Sequence, residues 1–209
     1  MSTSARHCWR TPGSPDPLLI AVISGPGGAG KGTVAFRLVQ RDPTWWLSRS
    51  WTTRRRRPGE DPEAYTFVDR ATFDERVAAG GFLEWAEFLG HRYGTPWPNP
   101  PSGRDVLLEI DLQGARQVLD QDPHAVVVLL LPPSADIQAE RLRRRGDDEA
   151  EVARRLAKGA EEERLGRRLT SLVVVNDDVD RAVAEVAGIL DLHRKTAPAS
   201  PGGEPPRGA

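Results

Sequence analysis

Short runs of apolar residues alternate with amphipathic stretches along most of the chain. The apolar runs predict strands at 18–24, 45–48, 106–111, 125–131 and 172–176. The amphipathic stretches predict helices at 31–40, 134–145, 148–169 and 179–193. Apolar runs without polar alternation are typical of parallel strands that crossover helices cover on both faces. The pattern therefore predicts an α/β fold, a three-layer sandwich with a central parallel sheet flanked by helices.

Four segments lie outside this alternation. Residues 1–17 and 194–209 are polar and rich in proline, which predicts disordered tails around one domain at 18–193. Residues 49–97 form a long excursion between the second and third strands, and residues 141–150 form a short basic turn. We expect these two insertions to be a small lobe and a lid that close over a ligand.

The composition limits the partners and the cellular location that we expect for this chain. The chain has 29 Lys and Arg against 30 Asp and Glu, so no overall field attracts nucleic acid or an anionic membrane. Cys8 is the single cysteine, which excludes a disulfide framework and favours a reducing, cytoplasmic location. The apolar runs are far shorter than the roughly 20 residues that a membrane-spanning helix needs. We therefore expect partners to be held by local sites, with no role for nucleic acid or membrane.

The segment "SGPGGAGKGT" follows the first predicted strand and opens the first predicted helix. Backbone N–H groups in such a loop can all point at a polyphosphate, and one lysine reaches the outer phosphates. The alternative is a plain glycine-rich turn with a solvated lysine. The predicted ATP-binding residues here are Gly25, Pro26, Gly27, Gly28, Ala29, Gly30, Lys31, Gly32 and Thr33.

The phosphate-loop motif departs from its usual form directly after the lysine. Gly32 stands where the motif has Ser or Thr, and Thr33 follows it. Magnesium is expected to arrive with ATP and to keep mostly water ligands. We therefore assign no direct metal ligand.

The excursion after the second strand begins "SRSWTTRRRRPGE". Hydroxyls of Ser50, Thr52 and Thr53 stand beside the arginines at 54–57, and guanidinium groups bind phosphate oxygens through paired hydrogen bonds. This favours a phosphorylated acceptor. A solvated basic face or a nucleic-acid patch is the alternative for four consecutive arginines.

Further motifs give the chain a specific resemblance. "GPGGAGKGT", "SWTTRRRRPGE", "AYTFV", "GFLEWAEF", "RYGTP", "LLEIDLQGARQV", "RRRGDDEAEVARRL" and "VVVNDD" occur in the order typical of guanylate kinases. From about residue 18 to 190 the sequence resembles this family of nucleoside monophosphate kinases, within the P-loop NTPase superfamily. The resemblance implies the reaction of ATP with GMP to give ADP and GDP, with magnesium.

The resemblance implies a GMP site in the excursion. Glu84 would recognise guanine, because one carboxylate can accept hydrogen bonds from both N1–H and the N2 amino group. The alternative is a surface carboxylate on a helix. Trp85 and Phe88 are expected to be packing residues. The full set implied to bind GMP is Ser50, Arg54, Arg57, Tyr65, Glu84, Tyr93, Thr95 and Asp111.

The resemblance also implies lid arginines that stabilise charge on the transferring group. These are Arg141, Arg145 and Arg155, which join Lys31 and Arg54 as the predicted catalytic residues. Helical i,i+4 ion pairs are the alternative for Arg141 and Arg155.

Asn176 matches a family residue near the adenine, with capping of the strand end as its alternative. Two other functions stay open for the chain as a whole. One is a nucleoside monophosphate kinase with another acceptor such as AMP. The other is a weakly active, guanylate-kinase-like binding module, suggested by departures such as the proline-rich "WPNPPSG" where relatives have a helix.

Overall fold

The computed structural model describes residues 18–57 and 59–196. The predicted tail at 1–17 lies outside the described residues, as does 197–209 in the predicted C-terminal tail. Nine strands occur in the described part of the chain: β1 (Ile20–Ser24), β2 (Trp45–Leu47), β3 (Trp51–Thr52), β4 (Thr66–Phe67), β5 (Phe82–Phe88), β6 (His91–Pro96), β7 (Asp105–Glu109), β8 (Val126–Leu131) and β9 (Val173–Val175).

The same described residues contain six helices. They are α1 (Lys31–Arg41), α2 (Arg70–Ala78), α3 (Leu112–Gln121), α4 (Ala135–Arg144), α5 (Glu149–Leu169) and α6 (Val179–Thr196). The hydrophobic pattern predicted α1, α4, α5 and α6. Ser134 is the N-cap of α4, since its side chain accepts a hydrogen bond from the backbone N–H of Ile137.

The larger sheet confirms the predicted parallel core. Its five strands are all parallel and follow the order β2-β7-β1-β8-β9. The central strands β1 and β8 are buried along their whole length, which explains their continuous apolar sequences. Their carboxyl ends lie at one edge of the sheet, where open parallel sheets bind ligands.

A hydrophobic core covers each face of this sheet. Helices α1 and α6 bury Leu38, Val186 and Leu190 against one face. Helix α3 buries Ala115 and Val118 against the other face. Val183, Val186 and Leu190 of α6 recur at three- and four-residue spacing and form one buried apolar stripe.

The excursion at 49–97 folds around a second sheet. Its four strands follow the order β4-β3-β6-β5, with β5 and β6 antiparallel. Phe73 of α2 is fully buried and stacks on Phe82, with ring centroids 4.6 Å apart. Trp85 contacts Phe73 edge-on but is 37% exposed, so it packs less completely than expected.

The end of α6 differs from the sequence prediction, whereas the segment after β6 agrees with it. Helix α6 continues to Thr196, three residues beyond its predicted end, because Arg194 bonds Asp105 and lies 4.6 Å from the centre of the Trp45 ring. Residues 97–104 contain no helix, in agreement with their prolines. No helix among residues 18–57 and 59–196 is long and apolar enough to cross a membrane.

Candidate functional site

The glycine-rich loop joins the carboxyl end of β1 to the start of α1. Gly25 has a φ of 140°, and a Cβ there would overlap the Leu130 carbonyl oxygen of β8. Only glycine fits this combination of backbone angle and close approach. The loop is therefore pressed against the neighbouring strand at the ligand-binding edge of the sheet.

Lys31 begins α1 and folds back over the loop. Its Nζ donates to the carbonyl of Gly25 at 2.6 Å and lies 3.8 Å from the Glu109 carboxylate of β7. The Lys31 side chain is only 14% exposed. The plain alternative of a solvated lysine is wrong, because this side chain is held within the loop.

Three side chains brace the outer side of the loop. Gln138 donates to the Gly27 carbonyl at 2.8 Å, and Asn176 donates to the Ala29 carbonyl at 2.7 Å. Arg141 donates to the Asn176 carbonyl at 2.8 Å and to the loop carbonyls of Gly28 and Ala29, both at 3.4 Å. Arg141 thus faces the loop backbone in this structure, and its catalytic role stays a prediction.

The lobe presents a buried arginine in a fixed orientation. Both terminal nitrogens of Arg54 donate to the Glu60 carboxylate, at 2.8 and 2.7 Å, and the backbone N–H of Arg57 donates to it at 2.9 Å. Burial opposes ionisation of Glu60, but these hydrogen bonds hold its pKa below the ordinary value. Arg54 is 8% exposed, so the four arginines do not form one solvated strip.

Two tyrosines stand beside this arginine. The rings of Tyr65 and Tyr93 lie 6.2 Å apart, edge to face, and the Arg54 guanidinium lies 5.4 Å from the centre of the Tyr65 ring. The hydroxyl of Tyr65 donates to Glu109 at 3.4 Å. The Glu109 charge and burial raise the pKa of Tyr65 well above its usual range, so this hydroxyl remains a donor.

Glu84 lies in the middle of β5, not on a surface helix, and is 4% exposed. Thr95 pairs with it on β6, and the Thr95 hydroxyl lies 3.1 Å from that of Ser50. A Cβ at Gly114 would overlap the Glu84 carboxylate, so glycine lets α3 approach closely. Burial, reinforced by the charge of Asp111, raises the pKa of Glu84 to about 7.

Two lid arginines reach the same space, Arg145 from the turn after α4 and Arg155 from α5. Arg155 forms an i,i+4 ion pair with Glu151 at 2.7 Å and also lies over the Phe88 ring at 5.9 Å. Arg145 donates to Asp147 at 2.8 Å. The alternative of a helical ion pair is thus realised for Arg155, but its guanidinium still faces the pocket.

One pocket brings these groups together. Of the predicted site residues, its lining contains Gly25, Gly27, Lys31, Ser50, Arg54, Arg57, Tyr65, Glu84, Tyr93, Asp111, Arg145 and Arg155. Thr95 lies beneath its wall, while the other loop residues, Arg141 and Asn176 lie outside the lining. The pocket therefore joins the glycine loop and the lobe in one space.

Sequence reasoning missed several members of this site. Glu60, Gln138 and Glu162 were not assigned roles, although Glu60 lies inside the motif "RRPGE". Burial raises the pKa of Glu162 to about 7, with Lys31 acting against this shift. Its position on the long helix α5 carried no local signal, because only folding brings it to the pocket.

Comparison with known proteins gives the family. The family model described as guanylate kinase matches residues 19–193. The chain is 48% identical to guanylate kinase of Synechococcus sp. (strain CC9902), over 83% of this chain and 95% of that protein. It is 42% identical to guanylate kinase of Carboxydothermus hydrogenoformans, over 84% of this chain and 89% of that protein.

A solved structure agrees with these sequences. The crystal structure of guanylate kinase from Anaplasma phagocytophilum superimposes with a TM-score of 0.68 at 31% identity, covering 85% of this chain and 86% of that one. The phosphate loop, the arginine-bearing lobe and the parallel sheet are thus found in a chain that matches one family along most of its length. The chain belongs to the guanylate kinase family.

Proposed function

We propose that this protein transfers the γ-phosphoryl group of ATP to GMP, producing ADP and GDP. The observation that carries the proposal is the shared pocket. Lys31 of the glycine loop and Arg54, Arg57 and Glu84 of the lobe line one cavity, although the loop and the lobe are separate in sequence. A two-substrate kinase needs this proximity, because the reaction depends mainly on holding donor and acceptor in line.

The glycine loop is proposed to bind the triphosphate. Its backbone N–H groups and the N-terminus of α1 favour anions, and Lys31 adds a full positive charge. Gly32 and Thr33 occupy the first turn of α1, where further N–H groups are free to bind phosphate oxygens. Asn176 is proposed to lie near the adenine, since its side-chain oxygen is buried without a hydrogen-bond partner.

The lobe is proposed to bind GMP. Arg54, Arg57 and the tyrosine hydroxyls would hold the phosphate, while Ser50, Thr95 and Asp111 surround the guanine site. Glu84 supports guanine over adenine, because adenine has an acceptor at N1 and would face the carboxylate oxygens with a lone pair.

Magnesium is expected to arrive with ATP and to neutralise charge on its phosphates. Glu109 and Asp111 lie at the carboxyl end of β7 on the pocket lining, and their oxygens fit a hydrated magnesium ion. No group of three or more His, Cys, Asp or Glu side chains in the described residues is arranged to hold a metal. Phosphate and water would therefore supply most of its ligands.

Two further requirements of the reaction are stabilisation of charge on the transferring group and exclusion of water. Arg145 and Arg155 are proposed to spread positive charge over the transferring group, and the lobe and lid are proposed to exclude water. A cytoplasmic location, suggested by the cysteine content, belongs to the same proposal.

The test is a coupled assay of ADP formation with ATP and each of GMP, dGMP, AMP, CMP and UMP. Turnover with GMP is expected. Turnover with AMP at a comparable kcat/KM would contradict the assignment of Glu84. ATP binding without turnover of any acceptor would favour the binding-module alternative.

A further inference from the structure

The lid carries a carboxylate at the centre of the pocket arginines. Asp147 Oδ2 accepts from Arg145 Nη2 at 2.8 Å and lies 3.2 Å from Arg155 Nε, while Oδ1 lies 4.0 Å from Arg57 Nε. The Asp147 side chain is only 7% exposed. One carboxylate thus contacts arginines of the lid turn, of α5 and of the lobe across the cleft.

Two adjoining helix ends fix the position of Asp147. Gly146 ends α4 with a φ of 90°, and its N–H bonds the Arg143 carbonyl at 2.9 Å. The N–H of Asp147 bonds the Leu142 carbonyl at 3.2 Å, which completes a Schellman turn. Asp148 then caps α5. Because backbone bonds hold both sides of Asp147, its side chain has little freedom to turn away from the pocket.

The contacts of Asp147 leave the guanidinium nitrogen of Arg155 that lies nearest the glycine loop free to bind phosphate. Arg155 Nε lies 3.2 Å from Asp147 in an ion pair without hydrogen-bond geometry, and Nη2 lies 2.7 Å from Glu151. Its third nitrogen, Nη1, lies beside the glycine loop, 3.5 Å from where a Cβ of Gly27 would stand. The carboxylates therefore bind the outer side of this guanidinium and present its inner side to the phosphate loop.

The cluster needs a counter-ion when no nucleotide is bound. Burial and the positive charges of Arg145, Arg54 and Arg155 lower the pKa of Arg57, and Asp147 acts against this repulsion. Without the carboxylate, like charges would push the lid away from the lobe. The longer arginine side chains would then sample many rotamers.

We propose that Asp147 is a positioning residue that holds Arg145 and Arg155 beside the phosphate loop before the substrates bind. This inference rests on the proposed function, because the arginines are positioned for phosphoryl transfer. It places Asp147 on the outer edge of the guanidinium groups, where it does not compete with phosphate. Loss of the carboxylate would slow the transfer step while leaving GMP binding to Arg54 and Glu84.

The test compares Asp147→Asn with Glu149→Gln. Glu149 lies two residues away and pairs with the exposed Arg143, so its variant removes the same charge from the same turn without touching the pocket. For Asp147→Asn we expect kcat to fall about 10- to 100-fold, the range of a misplaced catalytic group, with KM for GMP changed less than about threefold. Glu149→Gln should keep the wild-type kcat, and thermal melting should show both variants folded.

A triple variant, compared with its double-variant background, separates positioning from a general structural effect. In an Arg145→Ala, Arg155→Ala background, adding Asp147→Asn should change kcat less than about threefold, because the groups that it positions are gone. An unchanged kcat in the single variant would overturn the inference. So would tighter nucleotide binding at normal kcat, which would make Asp147 a competitor of phosphate. Asp147→Ser replaces the amide variant if the latter does not fold.

Failure of the proposed function can be distinguished from failure of the inference about Asp147. If the wild-type protein does not phosphorylate GMP, the enzyme assignment fails while the positioning inference is still tested by crystal structures without nucleotide. The Arg145 and Arg155 guanidinium groups should lie beside the loop in the wild-type protein and move away in Asp147→Asn. Identical arginine positions in both crystals would overturn the inference.

Discussion

Replacing Glu84 by glutamine should weaken GMP binding and stabilise the empty protein. Glutamine keeps the size of the side chain but removes a charge that is 4% exposed. Guanine presents two donors, and the amide can accept from only one of them while its own NH₂ opposes the other. Loss of the charged hydrogen bonds should cost about 1.5–3 kcal/mol of GMP binding, or about 10- to 150-fold in Kd.

The stability effect follows from the pKa of Glu84. Its rise from 4.5 to about 7 is a shift of about 2.5 pH units, equivalent to about 3 kcal/mol against ionisation in the folded state. Because the folded pKa lies above the unfolded value, this stability is fully present below about pH 4.5. It is lost as the pH rises through about 7. The variant has no charge to bury, so it should gain on the wild-type protein as the pH rises.

Denaturant unfolding at pH 5 and pH 8 measures this difference. The variant should be more stable by about 1 kcal/mol at pH 5 and about 3 kcal/mol at pH 8, from the same two pKa values. Glu162 also titrates near 7 but is present in both proteins, so its contribution cancels. Glu87→Gln is the control, because Glu87 lies on the same strand and is exposed; it should show no such trend.

Calorimetry of GMP binding supplies an independent measure. Near pH 7 the carboxyl of Glu84 is about half protonated in the empty pocket, so binding guanine should release about 0.5 proton. Titrations in buffers of different ionisation enthalpy would detect that proton in the wild-type protein and not in Glu84→Gln. A variant that binds GMP normally, or that gains no stability between pH 5 and pH 8, would refute this account of Glu84.

Three further substitutions test the site. Lys31→Ala should reduce kcat by at least about 10³-fold in a folded protein, by loss of the charge at the transferring phosphate, whereas Lys158→Ala, a partly exposed lysine that pairs with Glu161 outside the pocket lining, should not. Gly25→Ala should destabilise the protein by more than about 3 kcal/mol in urea unfolding, because its Cβ meets backbone. Gly103→Ala, also at positive φ but in open space, should cost only about 1 kcal/mol. Glu60→Gln should raise KM for GMP about tenfold by releasing the guanidinium that it holds, and unchanged kinetics would contradict that role.

The sequence by itself determined the sheet, the glycine loop and the family. Buried parallel strands leave continuous apolar runs, and helices leave an apolar stripe, so both are visible in local sequence. The glycine loop can also be recognised in local sequence, because its backbone angles require glycine at particular positions. These features depend on neighbours in the chain, which a sequence displays directly.

The tertiary structure decided the partners of the charged groups. Glu84 is buried on β5 because Thr95 pairs with it and Gly114 lets α3 approach closely, contacts that sequence spacing does not display. Asp147 lies 4.0 Å from Arg57 although 90 positions of sequence separate them, and burial strengthens the attraction between the two charges. Charge interactions depend on distance in space and on exclusion of water, and both are fixed only when the chain has folded.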